Sequence, residues 1–300
     1  MQCTITVIQT ERFHDPASIC RPALERICAR FADMCGARMT ECAVHVVQSG
    51  LRHFLPACLF ADRLLGVLRL VQCHRALCAG WSHTDVGHPC ARDGVVSGLD
   101  EALASCRAAS PARSDGAFVD EIEAGWQALL ATRGQLSAEM AFLRHSRLIE
   151  QILGRIGLLA EQWPGLDREQ DRLVSDYARQ LPALAECLGQ IRGMCCGVAA
   201  QGGCTAFKRT RLLFLCSSAQ ALLVTAYQCY RGIAPPVEAL VARTATESLV
   251  HIVRAGFLRE RVDYPVAAFY KTATESIDTV FAWIERIGAD LKDSVGVNQE

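Results

Sequence analysis

The chain has 300 residues, of which 51% are hydrophobic and 21% charged, and its formal net charge is −1. This length and apolar content suffice for one large core or two smaller ones. A net charge this close to zero excludes the global field that draws proteins to nucleic acid or to acidic membranes. Alanine and leucine dominate, and β-branched residues rarely alternate with polar ones, so the composition indicates an all-α protein.

The sixteen cysteines do not indicate a disulfide framework. The first residues, MQCTITVIQTERFHD, are polar and break at Asp15-Pro16, so they do not resemble a secretory leader. In a chain of this size without a leader we expect free thiols that pack as small apolar core residues. The sequence therefore predicts a cytoplasmic protein.

The first half of the chain shows helical stripes separated by polar breaks. Residues 1–15 are assigned to an irregular arm, and Asp15-Pro16 is typical of a helix start. Ser49-Gly50 and Pro164-Gly165 are expected to end helices, and a loop rich in Gly, His and Asp follows Gly80. Predicted helices occupy 16–48, 51–82, 94–109, 117–133 and 137–163.

The second half continues the pattern. Predicted helices occupy 167–200, 205–231, 237–259 and 263–292. The first of them should bend at Pro182, which has no amide proton to donate. Residues 212–230 carry no charge and are long enough to span a bilayer, but their Ser, Thr and Gln side chains would be costly in lipid. We therefore expect this helix to be buried on most sides of a bundle, and no membrane span.

Eight or nine helices with mostly short connections favour antiparallel helical bundles, and no low-complexity linker divides them. The sequence predicts a single all-helical domain over 16–292, built as two four-helix bundles that share long helices, with a frayed tail at 293–300. Long helices would also suit a homodimer.

In the segment 181–216, an apolar stripe of the kind that a helix buries leads directly to an arginine. An apolar stripe with helical spacing runs straight into Arg192, and glycines at 189, 193 and 197 allow a close approach by a neighbouring backbone or a small ligand. Arg209 and Arg211 open the next helix. A guanidinium in such a place fits a small planar anion, because its donors match the oxygens. The alternative is that Arg192 reaches past the bundle edge into solvent.

Three stretches carry a resemblance to a known family: LVQCHRALCAGW (70–81), RQLPALAECLGQIRGMCCGVAAQG (179–202) and YPVAAFYKTATESIDTVFAWIERI (264–287). Together they resemble the nitrate- and nitrite-sensing domain family. These all-helical bacterial sensors are found ahead of antiterminators, chemoreceptors, cyclases and kinases. The resemblance implies a pair of four-helix bundles and a nitrate or nitrite ion held by arginines.

Within the matched stretches, Arg75 and Arg192 are the implied ligand contacts, with Arg209 and Arg211 as secondary candidates. The chain departs from the family where Ala76 and Cys78 stand in place of Gly and Ser. Cys195 and Cys196 likewise stand where the family favours Gly and small polar residues. No RNA-binding, kinase or cyclase module is recognisable, so we expect an output protein that acts in trans.

Other chemistries have weaker support. Cys73, His74 and Cys78 lie within six residues but lack the paired C-x-x-C spacing of structural zinc, so we predict no metal and no cofactor. No nucleophile elbow, P-loop or dinucleotide motif occurs, so we predict that the protein is not an enzyme. Two alternatives stay open: a redox sensor at Cys195-Cys196, with thiol pKa values lowered by Arg192, and a ligand-free interaction scaffold with exposed apolar patches.

Overall fold

The computed structural model describes residues 40–80, 88–132, 135–161, 163 and 168–294. The predicted arm at 1–15 and most of the predicted helix at 16–48 lie outside these residues. All regular structure in the described part is helical and none is strand, so the all-α prediction is confirmed.

Nine α-helices are described. They are α1 (Thr40–Gly80), α2 (His88–Ala108), α3 (Arg113–Ala131), α4 (Ala138–Glu161), α5 (Arg168–Ser175), α6 (Leu181–Gln201), α7 (Ala206–Ala226), α8 (Val237–Gly256) and α9 (Val266–Ser294). A π-helical turn, Asp176–Gln180, joins α5 to α6, and a 3₁₀ turn, Tyr227–Tyr230, follows α7.

The packing places eight of these nine helices in two groups of four, and the short α5 leads through the π turn into α6. In the first group α1 packs on α2 and α4, and α3 lies against α2 and α4; in the second group α6 packs on α7 and α9, and α8 lies against α7 and α9. Each group encloses one fully buried tryptophan, Trp126 in the first and Trp283 in the second. The groups meet where α1 packs along α6. The first group's longest helix therefore forms the seam with the second.

Two predicted boundaries are wrong. The helix expected to end at Ser49-Gly50 does not end there: α1 runs through both residues and through Pro56. A helical glycine costs only about 1 kcal/mol, and the apolar stripe that follows, from Phe54 to Val71, is buried against the core. The helix predicted to begin at residue 94 also begins earlier, because α2 starts at His88, with Pro89 in its first turn.

The sequence predicted a bend at Pro182, and the structure shows a departure from regular α-helix about one turn earlier. The proline occupies the first turn of α6, and the chain immediately before it, Asp176–Gln180, forms the π turn. A proline removes one hydrogen bond to the preceding turn and crowds it, and a π turn is one way in which a helix absorbs such a disturbance. The helix α6 ends at Gly202, whose φ of 69° is left-handed, and the amide of Gly203 donates to Val198 in a Schellman arrangement.

Helix α7 is less buried than predicted. Ala206–Tyr230 is long and apolar enough to cross a membrane by length and composition, but one such segment is weak evidence for a span. Only 33% of its most apolar window is buried, so the expectation of burial on most sides is wrong. One stripe, from Leu212 to Ala226, packs against the bundle, whereas Phe214 and Val224 are exposed.

Candidate anion site

Two arginines are buried at the seam between the bundles. Arg75 on α1 and Arg192 on α6 are each only 1% exposed. Neither side chain reaches solvent, so the alternative in which Arg192 extends past the bundle edge is wrong. An ionised group is retained at such depth only if hydrogen bonds and countercharge offset its desolvation. The partners of each arginine therefore decide what the site can do.

Arg75 has a countercharge and hydrogen-bond partners for both of its Nη atoms, although its Nε has no hydrogen-bond partner among the described residues. Its Nη1 donates to Oε1 of Glu186 at 2.6 Å and its Nη2 donates to Oε2 at 3.0 Å, so the pair is bidentate. Nη1 also donates to the hydroxyl of Ser146 on α4 at 2.9 Å. The Phe142 ring lies under the guanidinium, 4.9 Å from ring centroid to Cζ. The charge of Arg75 is thus already neutralised by a side chain of the protein.

The Glu186 carboxylate continues this network towards the surface. It accepts from Gln72 Nε2 at 2.9 Å and from Gln190 Nε2 at 2.8 Å. The Oε1 of Gln190 in turn accepts from Arg211 Nη2 at 3.0 Å. Arg211 is exposed, so a chain of hydrogen bonds connects it through Gln190 and Glu186 to the buried Arg75.

Arg192 has no such countercharge. Its Nη1 donates to the hydroxyl of Thr274 on α9 at 2.9 Å, and its Nη2 lies 3.9 Å from Sγ of Cys73 on α1. The Tyr270 ring is 5.3 Å from its Cζ. No carboxylate of the described residues forms an ion pair with it, and its Nε has no hydrogen-bond partner there. Arg192 is therefore a buried cation with spare donors.

The two arginines lie on different sides of the α1–α6 contact. The partners of Arg75 come from α4 and α6, whereas those of Arg192 come from α1 and α9. They share no hydrogen-bond partner among the described residues. The glycines between them serve packing: a Cβ on Gly189 would come within 3.0 Å of Arg75 Nη2, and one on Gly193 within 3.0 Å of Phe142.

Arg209 lies beyond the C-terminal end of α6. It stands in the first turn of α7, half-buried, close enough to Cys204 for its charge to oppose the burial that raises that thiol's pKa. The nine residue-to-residue steps from Arg192 to Gln201 cover about 14 Å of helix. The four predicted arginines thus divide into a linked pair, Arg75 and Arg211, and two that stand apart.

The cysteines near Arg192 are not activated thiols. Burial raises the pKa of Cys196 to about 12, and it raises that of Cys195 well above its ordinary value, although Arg192 acts in the opposite direction on Cys196. The expectation of lowered pKa values at this pair is wrong, because complete desolvation outweighs one cation. The ten cysteines whose side chains the structure describes are free thiols, and six of them are buried.

A separate cleft of about 190 Å³ opens beside the π turn. Its lining comprises Arg172, Ser175, Asp176, Gln180, Thr225, Gln228, Cys229 and Arg231. Burial raises the pKa of Asp176 to about 7. None of the four predicted arginines lines this cleft.

Sequence reasoning missed the groups that distinguish Arg75 from Arg192. Glu186 could have been noticed, since it is the only acidic residue between Asp176 and Glu238 and lies within an apolar stripe. Thr274 and Tyr270 lie in a matched stretch but were not singled out. Donor atoms that could hold a metal also converge beside Arg75, on His74, Cys78 and His145.

No family model matches the chain, and no curated protein matches it. Among solved structures, that of the NasR transcription antiterminator is similar, with a TM-score of 0.65. The likeness covers 84% of this chain and 72% of that chain, at 15% sequence identity. At this identity the likeness establishes the fold alone: this chain and NasR share an all-helical architecture.

Proposed function

We propose that the protein is a non-enzymatic signalling sensor that binds one small oxyanion, nitrate or nitrite, at Arg192. The supporting observation is the buried, uncompensated charge of Arg192 between α1, α6 and α9. The resemblance in sequence is to nitrate- and nitrite-sensing domains, which occur ahead of antiterminators, and the fold is shared with an antiterminator. The sequence resemblance supplies the class of ligand.

The chemistry of Arg192 suits such an ion. A buried guanidinium without countercharge is costly, and an anion that enters beside it restores both charge balance and hydrogen bonding. Nitrate is planar, as the guanidinium is, so Nε and Nη2 could donate to two of its oxygens. The hydroxyl of Thr274 already touches Nη1 and offers a further donor. Arg75 is held by Glu186, so in this proposal it supports the seam and does not bind the ion.

Binding at Arg192 would bias the packing of the two bundles. The helices around it belong to both groups, α1 to the first and α6 and α9 to the second. A ligand shifts a conformational equilibrium only through its different affinity for the two states. In the proposal, the ion favours the arrangement in which α1 and α9 close on Arg192, and a partner protein in trans responds to that arrangement.

Urea unfolding in nitrate and in chloride at equal ionic strength tests the proposal. Nitrate at 100 times its dissociation constant should raise the unfolding free energy by about 2.7 kcal/mol over chloride. The variant Arg192→Met should lose this difference, whereas Arg243→Ala, which removes an exposed arginine on α8, should keep it. A nitrate effect of equal size in Arg192→Met would contradict binding at this residue.

A second candidate function is a ligand-free interaction scaffold. It is favoured by exposed apolar side chains on the neighbouring helices α7 and α8, which we term the α7–α8 face: Leu213, Phe214, Val224, Val237, Leu240 and Val241. Exposed apolar groups in such number favour contact with another protein. The scaffold predicts self-association or partner binding that is indifferent to nitrate and is lost in Phe214→Glu. Light scattering with and without nitrate separates the two functions.

A further inference from the structure

Three potential metal ligands converge in the first bundle. His74 and Cys78 are four residues apart on α1, so they lie on one face of that helix. His145 reaches them from α4, and its Nε2 is 2.7 Å from Nδ1 of His74. The Sγ of Cys78 is 3.7 Å from the same Nδ1, and one ligand atom from each residue lies within 4.8 Å of the other two. Both histidines are buried.

The hydrogen bond to Ala141 fixes the tautomer of His145. Nδ1 lies 2.6 Å from the carbonyl oxygen of Ala141, which can only accept, so Nδ1 carries the proton. The lone pair of Nε2 therefore points at His74. Metal-binding histidines usually donate their second ring nitrogen to a carbonyl or carboxylate in this way.

We propose that His74, Cys78 and His145 form a binding site for one zinc-class transition metal ion. Two imidazole nitrogens and one thiolate are a donor set that suits Zn²⁺ and its spectroscopic substitute Co²⁺, whereas Mg²⁺ and Ca²⁺ prefer oxygen. Three protein ligands leave a fourth position for water or a small anion.

Two of the three separations are close to those that a tetrahedral ion requires, and the third, from Cys78 to His145, is within 4.8 Å. With Zn–N of about 2.05 Å and Zn–S of about 2.3 Å, ligand nitrogens lie about 3.3 Å apart and nitrogen lies about 3.6 Å from sulfur. The His74–Cys78 separation of 3.7 Å already fits, and the two imidazoles need to part by about 0.6 Å from 2.7 Å. The ion takes the place of the shared proton: the His74 proton moves from Nδ1 to Nε2, and Cys78 releases its thiol proton to solvent.

The site is next to the buried ion pair. His74 precedes Arg75 on α1, and His145 precedes Ser146, which accepts from Arg75, on α4. A metal ion bound by both histidines would therefore fix the positions of the segments of α1 and α4 around Arg75. The metal proposal stands on its own geometry and does not require an anion at Arg192.

Titration of the chelator-treated full chain with Co²⁺ tests the proposal. We expect one tightly bound Co²⁺ per chain with a thiolate-to-cobalt charge-transfer band, and displacement by one equivalent of Zn²⁺. Cys78→Ser should lose that band, and His145→Gln should weaken binding at least about 100-fold, beyond the effect typical of outer-shell partners. Cys187→Ser, another part-buried cysteine, and His251→Gln, an exposed histidine on α8, are the matched controls.

A second readout guards against misfolded variants. The Trp126 ring lies edge-on to His74, with 4.8 Å between ring centroids, so bound Co²⁺ should quench its fluorescence in wild type and controls. Each metal-free variant is compared by circular dichroism. The proposal is overturned if the folded wild type shows no charge-transfer band, or if Cys78→Ser and His145→Gln bind Co²⁺ as the controls do. Either result would identify the cluster as a packed, hydrogen-bonded part of the core.

Discussion

The variant Glu186→Gln tests how the seam between the bundles is held. The carboxylate accepts four hydrogen bonds, two from Arg75 and one each from Gln72 and Gln190. Glutamine has nearly the same shape, but it carries no charge and replaces one acceptor oxygen by a donor. The N–H groups that donate to that oxygen in the wild type would then face the N–H groups of the glutamine amide. Arg75 would also remain buried without a countercharge.

The size of the expected loss in unfolding free energy follows from the burial of the Arg75–Glu186 pair. The Arg75 side chain is 0% exposed and that of Glu186 is 8% exposed, so solvent cannot replace the lost charge. Removal of one partner from such a pair costs about 3–5 kcal/mol, whereas replacement of both by apolar residues is often neutral. We therefore expect Glu186→Gln to lower the unfolding free energy by about 3–5 kcal/mol, and Arg75→Met with Glu186→Met to lower it by much less.

Equilibrium unfolding in urea, followed by circular dichroism, measures both variants. The surface pair Arg243–Glu247 is the matched control, because Glu247→Gln should change stability by less than about 1 kcal/mol. A loss of under about 1 kcal/mol in Glu186→Gln, or a double variant no more stable than the single one, would refute the assignment of Glu186 as the countercharge.

Three further predictions concern packing, charge and pH. Gly189→Ala should lower the unfolding free energy by about 1–3 kcal/mol, because its Cβ would meet Arg75 Nη2 at 3.0 Å. The control Gly154→Ala, which has open space at that position, should be neutral or stabilising. Equal changes in the unfolding free energy of the two variants would contradict the close approach at Gly189. Without nitrate, Arg192→Met should unfold at equal or higher urea than wild type, since it removes an uncompensated buried charge, and a loss above about 3 kcal/mol would contradict this reading. The raised pKa of Asp176, about 7 in the folded protein against about 3.9 in the unfolded chain, means that the folded state binds the extra proton between these values. Stability from this group is therefore lost as pH rises from about 4 to about 7, by at most about 1.4 kcal/mol per pH unit. Urea unfolding across this range should show Asp176→Asn gaining on wild type as pH rises, and a constant difference would contradict the shift.

Helical periodicity predicted most of the fold. The apolar stripes predicted α3, α4, α7, α8 and α9 to within a few residues at each end, because each stripe covers a long run at 3.6-residue spacing. One predicted helix, 167–200, covered both α5 and α6. Residues that commonly end helices were less reliable guides to the helix boundaries. Ser49-Gly50 did not end a helix, because α1 is held by its buried face further along. The exposure of Phe214 could not be predicted either, since an uncharged helical stretch has the same sequence pattern whether it faces the core or solvent.

The candidate site was predictable only in part. Arg192 follows an apolar stripe, and that position correctly suggested a buried guanidinium. The sequence could not show that Arg75 meets Glu186, 111 residues away, and that Arg192 meets no carboxylate of the described chain. The histidine pair escaped notice for the same reason, since His74 and His145 are 71 residues apart and belong to different helices. Long-range pairing is a property of packing, and no local spacing encodes it.

Isothermal titration calorimetry with nitrate tests the central claim most directly. The account predicts saturable heat with one nitrate per chain for the wild type and for Arg243→Ala, and no such heat for folded Arg192→Met. The absence of heat with the wild type at millimolar nitrate and nitrite, or an unchanged isotherm in Arg192→Met, would contradict the account.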